Sequence, residues 1–228
     1  SDRVEDSNMN ELEVIIDRNG PLMDAQPVTD EVIAAYRGKV PGILLEFWES
    51  QGTGSWVKGL YNVCTPGDFH GLLSQVFHAD KDFSHADCHI FGYSTFGIIF
   101  AWSERHGVLE INLLRNEVIA NSLTKKGSPG PSKNALTALL FRLTKDDSLD
   151  AYDDDDNKLF SRTVKKLGRP GPGQAFGFFP ALTMGGAPKL ENIKIVPALE
   201  HFLFLAQLQQ FQLVDYLSQP PRVVRPIG

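Results

Sequence analysis

Six side chains able to bind a metal or transfer protons crowd one stretch of this 228-residue chain: His70, His78, His85, Asp87, Cys88 and His89. Zinc takes three or four N, S or O donors in a tetrahedron, usually supplied as close-spaced pairs. His85 and Cys88 have such a spacing, but no second pair follows. The cluster supports a metal-dependent hydrolase only as an alternative reading, beside ordinary loop and cap histidines. Cys64 and Cys88 could act as nucleophiles only with a lowered thiol pKa, and Asp87 beside Cys88 works against that. Neither cysteine belongs to a disulfide framework, and both read as small buried thiols.

Known catalytic signatures are missing. The sequence has no G-x-S-x-G, H-E-x-x-H, G-x-G-x-x-G or kinase motif. Gly168-Arg169-Pro170-Gly171-Pro172-Gly173 is glycine-rich, but its prolines lack the N–H groups that cradle phosphate, so it reads as a turn. The acidic run Asp146, Asp147, Asp150 and Asp153 to Asp156 must stay exposed, because adjacent carboxylates resist desolvation. It allows three readings: a solvated face whose last members cap a helix starting near Asn157, a calcium loop, or a patch facing a partner. The calcium spacing D-x-[DN]-x-[DN]-G is absent.

These residues need elements to hold them. Thr29 caps a helix over Val32, Ile33 and Tyr36. Pro41 opens a second helix that presents Leu44, Leu45, Phe47 and Trp48 before Gly52-Thr53-Gly54-Ser55, which reads as a turn. Leu60–Val63 is a short strand and Pro66–Phe77 a third helix. The period then becomes two: His89–Tyr93, Gly97–Trp102, Val108–Leu113 and Val118–Ala120 form an antiparallel meander, one face covered by the preceding helices. Beyond the Gly/Pro/Ser-rich linker the pattern is mostly helical, over Ala135–Leu143, Leu159–Leu167 and Pro197–Leu208, with Phe176–Phe179 a buried strand or an extended segment. The expected class is α+β: N-terminal helices on an antiparallel meander, followed by a mainly helical C-terminal part. The divisions are 1–8 (a candidate tag or linker before Met9), 9–124, 125–133 (linker), 134–217 and 218–228 (extended peripheral tail).

The net charge of −6 is uneven. Residues 1–124 carry 18 acidic and 8 basic side chains, and residues 125–228 carry 10 and 14. The first half therefore repels nucleic acid and suits either plain solubility or the steering of a basic partner. Mean hydropathy is −0.16, with no apolar run of the ~18 residues a membrane span needs. Ser1–Asn10 is polar and lacks the apolar stretch of a secretory signal.

Two sets of residues carry a family resemblance. Asp30–Ile33, Tyr36–Pro41 and Leu44–Gly52, continued by Phe91–Gly97, Trp102 and Asn112–Leu114, resemble the GAD-like domain. Leu159-Phe160, Lys165–Gly168, Gly177–Leu182, Gly185-Gly186, Leu190–Asn192, Glu200–Phe202 and Leu205–Leu208 are similar to the C-terminal domain of immunity proteins against type VI secretion DNase effectors. Tyr36-Arg37-Gly38 with Pro41 also resembles the SUKH superfamily, itself rich in immunity proteins. Together the two domains span about residues 10–215. The resemblance implies a non-enzymatic cytoplasmic antitoxin without cofactor, whose partner is a cognate nuclease toxin rather than nucleic acid or membrane. A general scaffold protein is a further alternative. An inhibitor competing with DNA at a basic cleft needs carboxylates and a few aromatic anchors. The candidates are Asp80, Asp82, Asp87, Asp153, Asp154, Asp155 and Asp156, with Trp56 as anchor.

Overall fold

The computed structural model describes residues 10–128 and 130–228. The expectation for residues 1–8 and Met9 thus lies outside the described residues. Helix α1 (Glu11–Asn19) opens with a reciprocal cap: the Glu13 N–H donates to the Asn10 side chain at 2.9 Å, and the Asn10 N–H donates to the Glu13 carboxylate at 3.1 Å. Strand β1 (Met23–Gln26) follows, then α2 (Asp30–Tyr36), capped by Thr29 as expected, and α3 (Gly42–Gln51). Gly52 ends α3 at φ +75°, and a Cβ there would sit 2.0 Å from the Gln26 carbonyl oxygen, so only glycine lets the chain turn.

The segment read as a glycine turn is instead strand β2 (Thr53–Trp56), paired between β1 and β3 (Tyr61–Val63). The helix expected over Pro66–Phe77 is split at Gly71 (φ +86°) into a 3-10 turn and α4 (Leu72–Phe77). The meander is present as β4 (Cys88–Ser94), β5 (Ile98–Ser103), β6 (Gly107–Asn112) and β7 (Glu117–Ile119). A short α5 (Asn121–Thr124) leads to α6 (Lys133–Arg142) and α7 (Phe160–Leu167).

The C-terminal part departs from the mainly helical expectation. It contains α8 (Ala198–Ala206), but also a separate antiparallel pair, β8 (Gln174–Phe178) with β9 (Ile193–Pro197). Strands β10 (Gln212–Asp215) and β11 (Arg222–Pro226) extend the meander into a nine-stranded sheet of order β1-β2-β3-β4-β5-β6-β7-β10-β11. All its pairings are antiparallel except β7 with β10, so the sheet is mixed. The tail expected to be peripheral pairs through β11 with β10, and Ile227 is fully buried.

Strand alternation divides the sheet between two cores. On β5, Ile98, Phe100 and Trp102 enter one core, and Ile99 and Ala101 the other. The first core is closed by Ile15 of α1, Trp48 of α3, Leu136 and Leu140 of α6, and the ring group Phe160, Phe176 and Phe178. The second is closed by Leu72, Val76 and Phe77 of α4 with Phe202 and Leu205 of α8. Helices thus cover both faces of the sheet, and residues on either side of 125–133 share one sheet and both cores.

Candidate functional site

The histidine and cysteine stretch does not assemble. His70, His78 and His85 are exposed, whereas Cys88 and His89 are buried. The His89 Nε2 contacts the Glu104 carboxylate at 3.0 Å, and its ring meets Tyr36 edge-on at 5.5 Å. Among the described residues no three His, Cys, Asp or Glu side chains come together to hold a metal, which removes the structural basis of the hydrolase reading. Burial pushes the Cys88 thiol up to about 12, with Asp87 adding to it, and burial also raises Cys64 well above its ordinary value. Neither is a thiolate nucleophile.

Most of the carboxylates picked out in sequence are occupied inside the fold. The Asp80 side chain is almost wholly buried and takes both Nη atoms of Arg225 at 2.7 and 2.9 Å, and Asp82 takes Arg225 Nη2 at 2.7 Å. Asp87 accepts from Arg105 Nε at 2.8 Å. Asp153 accepts from the Asp155 and Asn157 N–H groups and from Arg162 Nη1, closing its own turn. Trp56 is a core residue at 2% exposure, edge-on to Phe47, with its Nε1 donating to the Gly20 carbonyl at 3.0 Å. It presents no surface to a partner. The expected helix cap also differs: α7 starts at Phe160, whose N–H donates to Asp150 at 2.8 Å. Asp154, Asp155 and Asp156 remain exposed with their charges outward.

The sequence reading missed an open stretch of sheet. On β6 and β7 burial alternates, so Leu109, Ile111 and Val118 are buried while Val108, Glu110, Asn112, Glu117 and Ile119 are only half-buried. Over that face lie two openings of about 480 and 500 Å³, which share Glu110, Ile119 and Asn121. They form one groove running from α6 to the segments around Asp150 and Tyr216. Tyr152 and Leu217 line its second half and are exposed by 37% and 54%. The Tyr152 hydroxyl donates to the Asp147 carbonyl, which fixes the ring, and Glu117 accepts from the Tyr216 hydroxyl. Glu110 has no hydrogen-bond partner among the described residues. Burial raises its pKa, and the Asp146 and Glu117 charges raise it further against the opposing Arg142. The alternation of Val108–Leu113 was the available sequence signal, but it does not say which outward residues a helix covers.

Comparison with known proteins identifies two domains. The GAD-like domain model matches residues 10–115, and the model for the C-terminal domain of T6SS immunity protein Tdi1 matches residues 137–209. The chain carries a GAD-like domain followed by a domain similar to the C-terminal domain of T6SS immunity protein Tdi1. Three chains of solved structures also match. One is the crystal structure of Atu4351 from Agrobacterium tumefaciens, with a TM-score of 0.88 and 28% identity over 95% of this chain and 97% of that one. No curated protein sequence matches significantly. The Tdi1-like motif residues prove to be architectural here. A Cβ on Gly177 would lie 2.7 Å from the buried His201 ring, and one on Gly186 would lie 1.9 Å from the Pro180 carbonyl oxygen. Next to them, Phe179 and Phe204 flank His201 at the surface.

Proposed function

We propose that this T6SS immunity protein acts in the cytoplasm as a non-enzymatic antitoxin, binding a cognate nuclease effector and blocking its DNA-binding or active site. The observation that carries the reading is the Tdi1 immunity domain match over residues 137–209. The charge distribution supports a basic partner, since the first 124 residues hold a large acidic excess. Among the described residues no helix is long and apolar enough to cross a membrane. Asp154, Asp155 and Asp156 form the part of the sequence-derived candidate surface that is free to meet a partner. Their fixed, exposed charges would speed encounter more than they tighten the final complex.

The test is reconstitution with the effector encoded beside this protein's own gene. A stoichiometric complex is expected on gel filtration, together with loss of DNA cleavage when the antitoxin is in excess. Cleavage that continues under excess antitoxin refutes the proposal.

A further inference from the structure

We infer that the groove over β6 and β7 is where the effector docks, and that it receives an extended segment of the effector whose Lys or Arg side chain pairs with Glu110. This rests on the immunity reading and adds the surface and the chemistry of the bound segment. The argument begins with the open face. Sheet faces in this fold are covered by helices, yet Glu110, Asn112 and Ile119 face a groove whose second half measures about 500 Å³. That half is large enough for a side chain and the backbone carrying it.

Charge selects the occupant. Glu110 is a half-buried carboxylate without a hydrogen bond among the described residues, an arrangement that costs stability unless a cation arrives. The guanidinium that bears on it, Arg142, already donates to Asp146 at 2.8 Å. Glu117 and Asp150 line the groove as well, with Lys125 and Arg115 as its other cations. Glu117 is committed to Tyr216 and Asp150 to the N–H of Phe160, which leaves Glu110 as the unmatched charge. Tyr152 and Leu217 stand exposed beside it and offer apolar surface that a bound segment would cover. The acidic turn Asp153–Asp156 follows Tyr152 directly and extends the negative approach.

The experiment uses the full chain and a catalytically inactivated form of the neighbouring effector. Binding is measured for the parent protein, Glu110→Gln and Tyr152→Ala, and hydrogen exchange is mapped with and without effector. Glu110→Gln is expected to weaken binding by at least about tenfold, the minimum for losing a desolvated charge partner. Its melting temperature should be unchanged or higher, because a half-buried carboxylate without a hydrogen bond becomes neutral. Tyr152→Ala, at an exposed site, should weaken binding without unfolding, and peptides over 108–119 and 148–152 should gain protection. Parent-like affinity of Glu110→Gln, or protection confined to other surfaces, overturns the docking site and leaves the immunity reading standing. No association of the parent protein overturns both.

Discussion

Removing Arg225 tests whether the C-terminal strand is held by charge. Arg225 on β11 grips two carboxylates from a distant loop: Asp80 through both Nη atoms and Asp82 through Nη2. The Asp80 side chain is 1% exposed and also accepts the N–H groups of Gly228, Asp82 and Phe83. Burial alone pushes Asp80 up. The hydrogen bonds from Arg225, Gly228 and Asp82 overcome this and hold the carboxyl well below the usual carboxylate range. Arg225→Ala leaves that carboxylate buried with backbone donors only. Breaking a buried pair costs about 3–5 kcal/mol, and the partial exposure of Asp82 and Arg225 favours the lower end, about 3 kcal/mol. For a chain of this size that corresponds to a melting temperature lower by about 6–12 °C. The sign with pH follows from the depressed pKa. The stabilisation from Asp80 is complete above its unfolded pKa of about 3.9 and is lost as pH falls below it toward the folded value. In the variant the folded pKa rises, so the gap between the two proteins is widest near pH 7 and narrows in acid. Urea denaturation followed by tryptophan fluorescence at several pH values measures this, and Asp80→Asn/Arg225→Ala should recover part of the loss. A loss under about 1 kcal/mol at neutral pH, or a gap that widens on acidification, would refute the reasoning.

Four further outcomes are expected. Trp56→Ala should cost about 3–5 kcal/mol in denaturant titration, whereas the triple change of Asp154, Asp155 and Asp156 to Asn should stay within about 0.5 kcal/mol while slowing association with effector at low salt. Gly177→Ala should lower stability by about 1–3 kcal/mol, because its methyl meets the His201 ring; unchanged melting would mean that the ring moves freely. Cys64 and Cys88 should both resist a thiol reagent at pH 8 in the folded protein and react once urea is added. One fast equivalent before urea contradicts their burial.

The central meander was legible because β4 to β7 are sequential neighbours, rich in β-branched and aromatic residues, with turn residues between them. The strands that escaped notice lack one of those supports. β1 is Met-Asp-Ala-Gln without a β-branched residue, and β2 is Thr-Gly-Ser-Trp, whose glycine reads as a turn. What makes them strands is pairing: Ser55 lies opposite both Met23 and Asn62. β10 is short and pairs in parallel with β7, placing Leu213 beside Val118, a contact that no local pattern encodes. The helical reading of the C-terminal part failed for the same reason. Its helices are periodic stretches of 8 to 10 residues, while its strands depend on partners elsewhere in the chain.

The candidate surface shows a sharper limit. Composition revealed a surplus of carboxylates, but it does not say which of them have partners. Asp80 finds Arg225 across 145 positions of sequence, and Asp87 and Asp153 find Arg105 and Arg162 through turns. A carboxylate matched in this way is bound up with folding and is poorly placed to attract an effector. Glu110 has the opposite character. In sequence it is one polar residue in an alternating strand, Val-Leu-Glu-Ile-Asn-Leu, indistinguishable from a solvated outward position. Only the placement of α6, and of the segment around Tyr152, turns that position into the floor of a groove where a negative charge is neither hydrated freely nor paired. Such a position suits a cationic side chain from a partner, which is what Glu110→Gln tests.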